Sequence, residues 1–101
     1  MPTFILMTKL APEAMTDALG RRAMGKEWIQ RVHDVCPDVK FTAHYALLGP
    51  YDFMDIYEAP DTATAQRVSL ISRSGGAISA ESWPAEPYDS FLRILEEVES
   101  G

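Results

Sequence analysis

The sequence has 101 residues, 47% of them hydrophobic and 24% charged, with nine basic and fifteen acidic side chains and a net charge of −6. That length and apolar content predict one globular domain spanning residues 1–101. No apolar run reaches the roughly 20 residues that span a bilayer, so we expect no membrane segment. The negative charge argues against nucleic-acid binding, which needs lysine and arginine at the phosphates. A single cysteine, Cys36, excludes an intrachain disulfide and favours a cytoplasmic protein.

The first third of the chain predicts a strand followed by a helix. Residues Thr3–Leu10 form a short run that is rich in β-forming side chains. Pro12 opens the helical stretch at a position where its missing N–H costs nothing, and Gly20 is expected to break or bend that stretch. The helix then continues to Cys36, and Pro37 stops it.

The rest of the chain alternates strands with helices, and glycine or proline marks the boundaries. Asp61 is expected to cap the second helix, because its carboxylate can accept a backbone N–H of the first turn. Gly75 and Gly76 end that helix. The predicted elements, in chain order, are strands Val39–Leu48 and Asp52–Ala59, helix Thr62–Arg73, strand Ala77–Trp83 and helix Tyr88–Val98.

The order of these elements is β-α-β-β-α-β followed by a terminal helix, which predicts an α+β domain of the ferredoxin-like fold. In that fold, helices cover one face of a four-stranded antiparallel sheet. The second face must then contact solvent, a ligand or a partner.

Alternation along the hairpin of the second and third strands predicts which side chains share a face. An odd-numbered loop would mix Asp55 into an otherwise apolar set, so we expect an even-numbered loop. The apolar set then packs under the helices, and the polar set occupies the second face. His44 lies opposite Asp55 if the loop has four residues, or opposite Tyr57 if it has six. The apolar set is Phe41, Ala43, Tyr45, Leu47, Met54 and Ile56, and the polar set is Thr42, His44, Ala46, Leu48, Phe53, Asp55 and Tyr57.

The polar set contains a candidate catalytic pair, His44 and Asp55. A carboxylate can orient an imidazole that acts as a general base near neutral pH. The alternative is a hydrogen-bonded cross-strand pair within a subunit interface. Tyr57, Glu81 and Trp83 are candidate ligand-binding residues of the same cavity, although a large aromatic such as Trp83 more often supplies burial.

The segment Tyr45–Asp61, with the sequence YALLGPYDFMDIYEAPD, closely resembles the signature of the GYD-domain family. The Gly, Tyr and Asp that name the family correspond to Gly49, Tyr51 and Asp52. The resemblance implies a ferredoxin-like domain of the dimeric α/β-barrel type, in which two sheets pair by their open faces, and it implies no particular reaction. Tyr51 and Asp52 are candidate ligand-binding residues, and ordinary turn chemistry is the alternative account of the motif.

Three hypotheses of function follow. The leading one is a homodimer that binds a small organic molecule between the paired sheets, because one layer of sheet and helices cannot both enclose a cavity and keep a core. The second is a cofactor-free oxygenase or isomerase in which His44 is the base and Asp55 orients it. The third makes the polar face purely an interface. We expect no cofactor and no metal site, because no further ligand clusters with His33 and Cys36.

Overall fold

The computed structural model describes all 101 residues and has a single four-stranded antiparallel sheet in the order β2-β3-β1-β4. Two helices, α1 and α2, lie on one side of the sheet, which we call the covered face, and the other side is the open face. The predicted α+β, ferredoxin-like architecture is confirmed. The elements are β1 Thr3–Leu10, a 3₁₀ turn Pro12–Ala14, α1 Ala18–Val35, β2 Lys40–Ala46, β3 Phe53–Glu58, α2 Thr62–Ser74, β4 Ala77–Ala85 and α3 Tyr88–Ser100.

Aspartate caps determine where the first two helices begin. The Asp17 carboxylate accepts the Gly20 N–H at 2.8 Å, and the Asp61 carboxylate accepts the Thr64 N–H at 2.8 Å. The bonds from Thr64 hold the pKa of Asp61 below its usual value. The predicted cap at Asp61 is confirmed, whereas the predicted break at Gly20 is wrong, because Gly20 lies in the first turn of α1.

β4 continues two residues past its predicted end at Trp83 and includes Pro84. It pairs only with β1 and is therefore an edge strand, where the missing N–H of a proline is tolerated. The strand begins after Gly76, whose φ of +110° favours glycine.

The hydrophobic core lies between the covered face and the two helices. Tyr57 stacks on Phe4 with ring centroids 5.6 Å apart, and Phe41 lies 5.5 Å from Tyr57 and 5.2 Å from Trp28. Trp28 thereby connects α1 to the sheet. The buried cluster consists of Phe4, Leu6, Val32, Cys36, Val39, Tyr57, Ala59, Ala65, Val68, Ile71 and Ala80.

The terminal helix, α3, contributes nothing to this core. None of its residues is buried, and its apolar side chains, among them Phe91, Leu95 and Val98, are exposed. The molecule is elongated, with principal extents of 54 × 30 × 19 Å. No helix in the chain combines the length and the apolar character needed to cross a membrane.

Candidate functional site

His44 and Asp55 lie opposite each other across β2 and β3, and Nδ1 of His44 is 2.5 Å from Oδ1 of Asp55. The register is that of the four-residue loop, because the Leu47 N–H donates to the Asp52 carbonyl at 2.9 Å and extends the pairing beyond Ala46. The predicted juxtaposition of His44 and Asp55 is confirmed. The two side chains differ in environment, since that of His44 is 62% exposed and that of Asp55 is 4% exposed.

The prediction that this pair lies on the face away from the helices is wrong. Asp55 and Tyr57 lie on the covered face among the core residues, and the open face carries Tyr45 and Met54 instead. The prediction assumed that a carboxylate would avoid the apolar layer. Asp55 is tolerated there because His44 pairs with it.

A β-bulge explains why alternation alone could not assign the faces of β2. The pairing shifts between Phe41, which lies opposite Tyr57, and Ala43, which lies opposite Ile56. The additional residue at the bulge places Phe41 on the same face as His44, although an odd number of positions separates them. The pattern therefore changes phase within a single strand.

Tyr57 is a core residue, and its predicted place in a cavity between paired sheets is wrong. It has no exposed surface, and its hydroxyl lies 2.6 Å from Oγ of Ser82, which also contacts Ser69 on α2. Burial raises the pKa of Tyr57 to about 12. The side chain stabilises the sheet against α2.

Burial also raises the pKa of the Asp55 carboxyl. The charge of His44 and its hydrogen bond act in the opposite direction and offset the effect of burial only in part. Keeping the Asp55 carboxylate charged in this buried position costs folding free energy. Perturbed pKa values of this kind are common at functional sites and also occur in structural pairs. The bond to Nδ1 leaves Nε2 as the nitrogen of His44 that is free to contact a ligand.

The pair opens into a cavity of about 600 Å³ between α1 and the covered face, which we call the α1 cleft. Its floor is formed by His44, Asp55 and Phe53, and the rings of His44 and Phe53 are stacked with centroids 5.6 Å apart. Trp28 and Phe41 also line the cleft. A volume of this size is typical of small-molecule sites, so the cleft is a candidate binding site within one subunit.

Three other predicted site residues lie on the opposite side of the sheet or at its edge. Glu81 and Trp83 project from β4 on the open face, where Nε1 of Trp83 donates to Glu81 at 2.9 Å. The Tyr51 hydroxyl donates to Glu81 at 3.2 Å, and the rings of Tyr51 and Trp83 meet edge to face at 6.1 Å. Burial and the neighbouring Glu81 carboxylate raise the pKa of Tyr51. The predicted single cavity is therefore divided between two faces.

Asp52 connects the hairpin loop to β1. Its carboxylate accepts the Leu10 N–H at 2.7 Å, and its own N–H donates to the Thr8 carbonyl at 2.8 Å. Gly49 is exposed and has open space where a Cβ would project. These contacts support the turn-chemistry account of the motif, while a ligand contact of Asp52 stays a prediction.

The α1 cleft and the exposed helix α3 were not anticipated as sites. The basic side chains Arg22 and Lys26, four residues apart, share one side of a helix, which the sequence does reveal. The sequence does not reveal that this side of the helix borders the cleft above the sheet, because its position depends on how α1 packs. No three His, Cys, Asp or Glu side chains are grouped so as to hold a metal ion.

The fold defines an α+β sheet domain of the ferredoxin-like class, with one sheet face that no helix covers and one cleft between α1 and the other face. The family model described as GYD domain matches residues 4–95, and the chain belongs to that family. A relative from Thermus thermophilus, "Glutamine synthetase and cystathionine beta-lyase binding protein", is 34% identical over 96 residues, which cover 95% of this chain and 100% of the relative. No solved structure matches the chain.

Proposed function

We propose that this GYD-family protein is a homodimeric protein-binding module whose partners include glutamine synthetase or cystathionine beta-lyase. The relative from Thermus thermophilus is named for binding those two enzymes, and it aligns with almost the entire chain. The observation that carries the proposal is the amount of apolar surface left uncovered on the open face and on α3. Contiguous exposed apolar surface of this kind is typical of protein interfaces.

The open face is the surface that we assign to a second copy of the chain. Ile5, Met54 and Ile56 lie on it only partly covered, and the ring of Tyr45 is 57% exposed. No helix lies over this face, although a sheet with apolar side chains on both faces normally has both of them covered. Two copies related by a two-fold axis would cover each other's open faces with identical surfaces.

Pairing of the open faces would also bring together the Tyr51–Glu81–Trp83 clusters of the two copies. Trp83 is 42% exposed, and its ring contacts Tyr51 at the rim of the sheet. Amphipathic side chains with polar tips suit a ligand site between sheets. A small organic molecule bound between the two subunits would contact these three residues.

α3 is the surface that we assign to the partner enzyme. Its exposed apolar side chains, Phe91, Ile94, Leu95 and Val98, recur at the spacing of one helical face, and Glu96, Glu97 and Glu99 lie among the polar positions. An amphipathic helix binds by laying its apolar face into a hydrophobic groove. The acidic side chains favour a groove with a basic rim.

The test is binding of the purified chain to purified glutamine synthetase and, separately, to cystathionine beta-lyase from the same source organism, measured by biolayer interferometry. We expect the substitution Phe91→Glu to weaken binding by about tenfold or more, because an aromatic anchor at the centre of an interface is a typical hot spot. Ala23→Glu, which adds the same charge at an exposed position of α1, is the control. Absence of binding to both enzymes would reject the proposed partners.

The His44–Asp55 pair favours a second candidate function, a cofactor-free oxygenase or isomerase that uses His44 as the general base. The Asp55 carboxylate holds Nδ1 and directs the exposed part of the ring toward the α1 cleft. In this mechanism His44→Ala abolishes turnover, and His44→Gln fails to restore it because an amide cannot accept the proton. Equal turnover by the wild type and by His44→Ala on a substrate found by screening would exclude His44 as the base.

A further inference from the structure

The mouth of the α1 cleft is strongly basic in a protein that carries a net charge of −6. Arg21, Arg22 and Lys26 of α1 all line it, which places three of the nine basic residues of the chain at one cavity. Asp55 is the only acidic residue among the lining side chains, and it is paired with His44. The positive charge at the mouth is therefore not balanced within the cleft.

The interior of the same cleft is apolar and aromatic. Trp28 is held in place because its Nε1 donates to the Ser72 hydroxyl at 2.9 Å, and its ring contacts Phe41. At the mouth, the Arg21 guanidinium lies 5.3 Å from the centroid of the Phe53 ring. A cation stacked on an aromatic ring presents its remaining N–H donors in a fixed direction.

We propose that the α1 cleft binds a small organic anion, with its acidic group held by the cations of α1 and its apolar body against the aromatic interior. Arg22 and Lys26 are exposed and supply the charge at the entrance, while Arg21 is held in place by its bond to the Ala14 carbonyl at 3.2 Å. The cavity of about 600 Å³ accommodates a molecule with one or two rings. A carboxylate and a phosphate share the chemistry that guanidinium groups recognise.

This site is distinct from the surfaces assigned to the second copy and to a partner enzyme. It lies on the covered face within one subunit, whereas the protein contacts are proposed for the open face and α3. It also requires no chemistry from His44. Binding of an anion in the cleft and binding of a protein to α3 can therefore be tested separately.

The test is a titration of the ¹⁵N-labelled chain, followed by NMR, with indole-3-acetate, with the uncharged indole-3-acetamide and with phenyl phosphate. We expect indole-3-acetate to shift the backbone amide signals of Gly25, Ser72 and Ala77, which line the cleft. The acetamide should bind about tenfold or more weakly, because it keeps the apolar body and loses the charge. The phenyl phosphate titration identifies whether a phosphate is preferred to a carboxylate.

Charge-reversal variants of α1 provide the matched control. Arg22→Glu and Lys26→Glu should each weaken indole-3-acetate binding by about tenfold, since each replaces an attraction at the mouth by a repulsion. Arg31→Glu makes the same change on the same helix outside the cleft and should leave the affinity unchanged. If Arg22→Glu does not fold, Arg22→Gln, which removes the charge without reversing it, is used in its place.

Three results would overturn the proposal. The first is equal affinity for indole-3-acetate and its acetamide, which would mean that the cleft does not select charge. The second is a loss of affinity in Arg31→Glu as large as in Arg22→Glu, which would indicate a general effect of net charge. The third is that none of the probes shifts the cleft amides.

Discussion

Nδ1 of His44 and Oδ1 of Asp55 approach to 2.5 Å across two antiparallel strands, on the side of the sheet that the helices cover. The imidazole extends to the α1 cleft and the carboxylate lies beneath it, almost inaccessible to solvent. This arrangement places a hydrogen-bonded pair of titratable side chains at the boundary between the core and a cavity. Both its energetic cost and its availability to a ligand can be measured.

We expect Asp55→Asn to raise the free energy of unfolding at neutral pH, because burial disfavours the charged carboxylate more than a neutral amide. The amide oxygen keeps an acceptor for His44 and removes the buried charge. Because burial raises the pKa of Asp55, the carboxyl contributes most to stability below pH 3.8 and loses that contribution as the pH rises through the raised value. The advantage of the variant should therefore disappear below pH 3.8.

Urea unfolding of the wild type and Asp55→Asn across this pH range checks the prediction. Asp38→Asn is the control, because Asp38 is exposed. If Asp55→Asn is clearly less stable than the wild type at neutral pH, the pair stabilises the fold and its desolvation cost is smaller than we infer.

Tyr57 provides a second prediction, at alkaline pH. Its pKa of about 12 lies above the ordinary value of 10.0, so the unfolded chain loses this proton first. The contribution of Tyr57 to stability is complete below pH 10.0 and is lost as the pH rises toward 12. Tyrosinate absorbance should show a late step that is missing in Tyr57→Phe, and that variant should cost about 1 kcal/mol at neutral pH through the lost bond to Ser82. A late step that persists in Tyr57→Phe would assign it to another tyrosine.

Asp52 provides a prediction about the family motif. Removing its carboxylate in Asp52→Ala leaves the Leu10 N–H without its acceptor, so we expect a loss of about 2 kcal/mol in the free energy of unfolding. Asp52→Asn keeps an acceptor oxygen and should recover most of that loss. Denaturant titration of the three proteins measures both values. Full stability in Asp52→Ala would remove the structural account of this residue and leave a ligand contact as the explanation.

The open face provides a prediction about assembly. The wild type should have twice the chain mass of 11.3 kDa by light scattering at micromolar concentration. Tyr45→Glu places a charge on the apolar open face, and its mass should fall to 11.3 kDa, because an unpaired buried charge is costly at an interface. Ala23→Glu, on α1, should remain a dimer. A wild type with the mass of one chain would reject the homodimer.

Much of the architecture could be read from local chemistry. Asp61 precedes a helical pattern and caps α2 as predicted, and β1 has its predicted bounds of Thr3–Leu10. Such signals depend on residues that are close in the chain, so they depend little on how distant segments pack. Loop parity limited the residue opposite His44 to Asp55 or Tyr57, and the structure has the register with Asp55.

The sequence by itself determined the order of the strands and helices along the chain and the Asp61 cap of α2, and it limited the residue opposite His44 to Asp55 or Tyr57. Each of these depends on residues that are close in the chain or joined by a short loop. The tertiary structure alone decided which face of the sheet the pair occupies. The bulge between Phe41 and Ala43 changes the phase of β2, and Asp55 is accommodated in the core because the His44 ring pairs with it. The basic α1 cleft likewise exists only because α1 packs with Arg22 and Lys26 over the sheet. Packing between distant segments determines where a charge lies, and no local pattern in the chain encodes it.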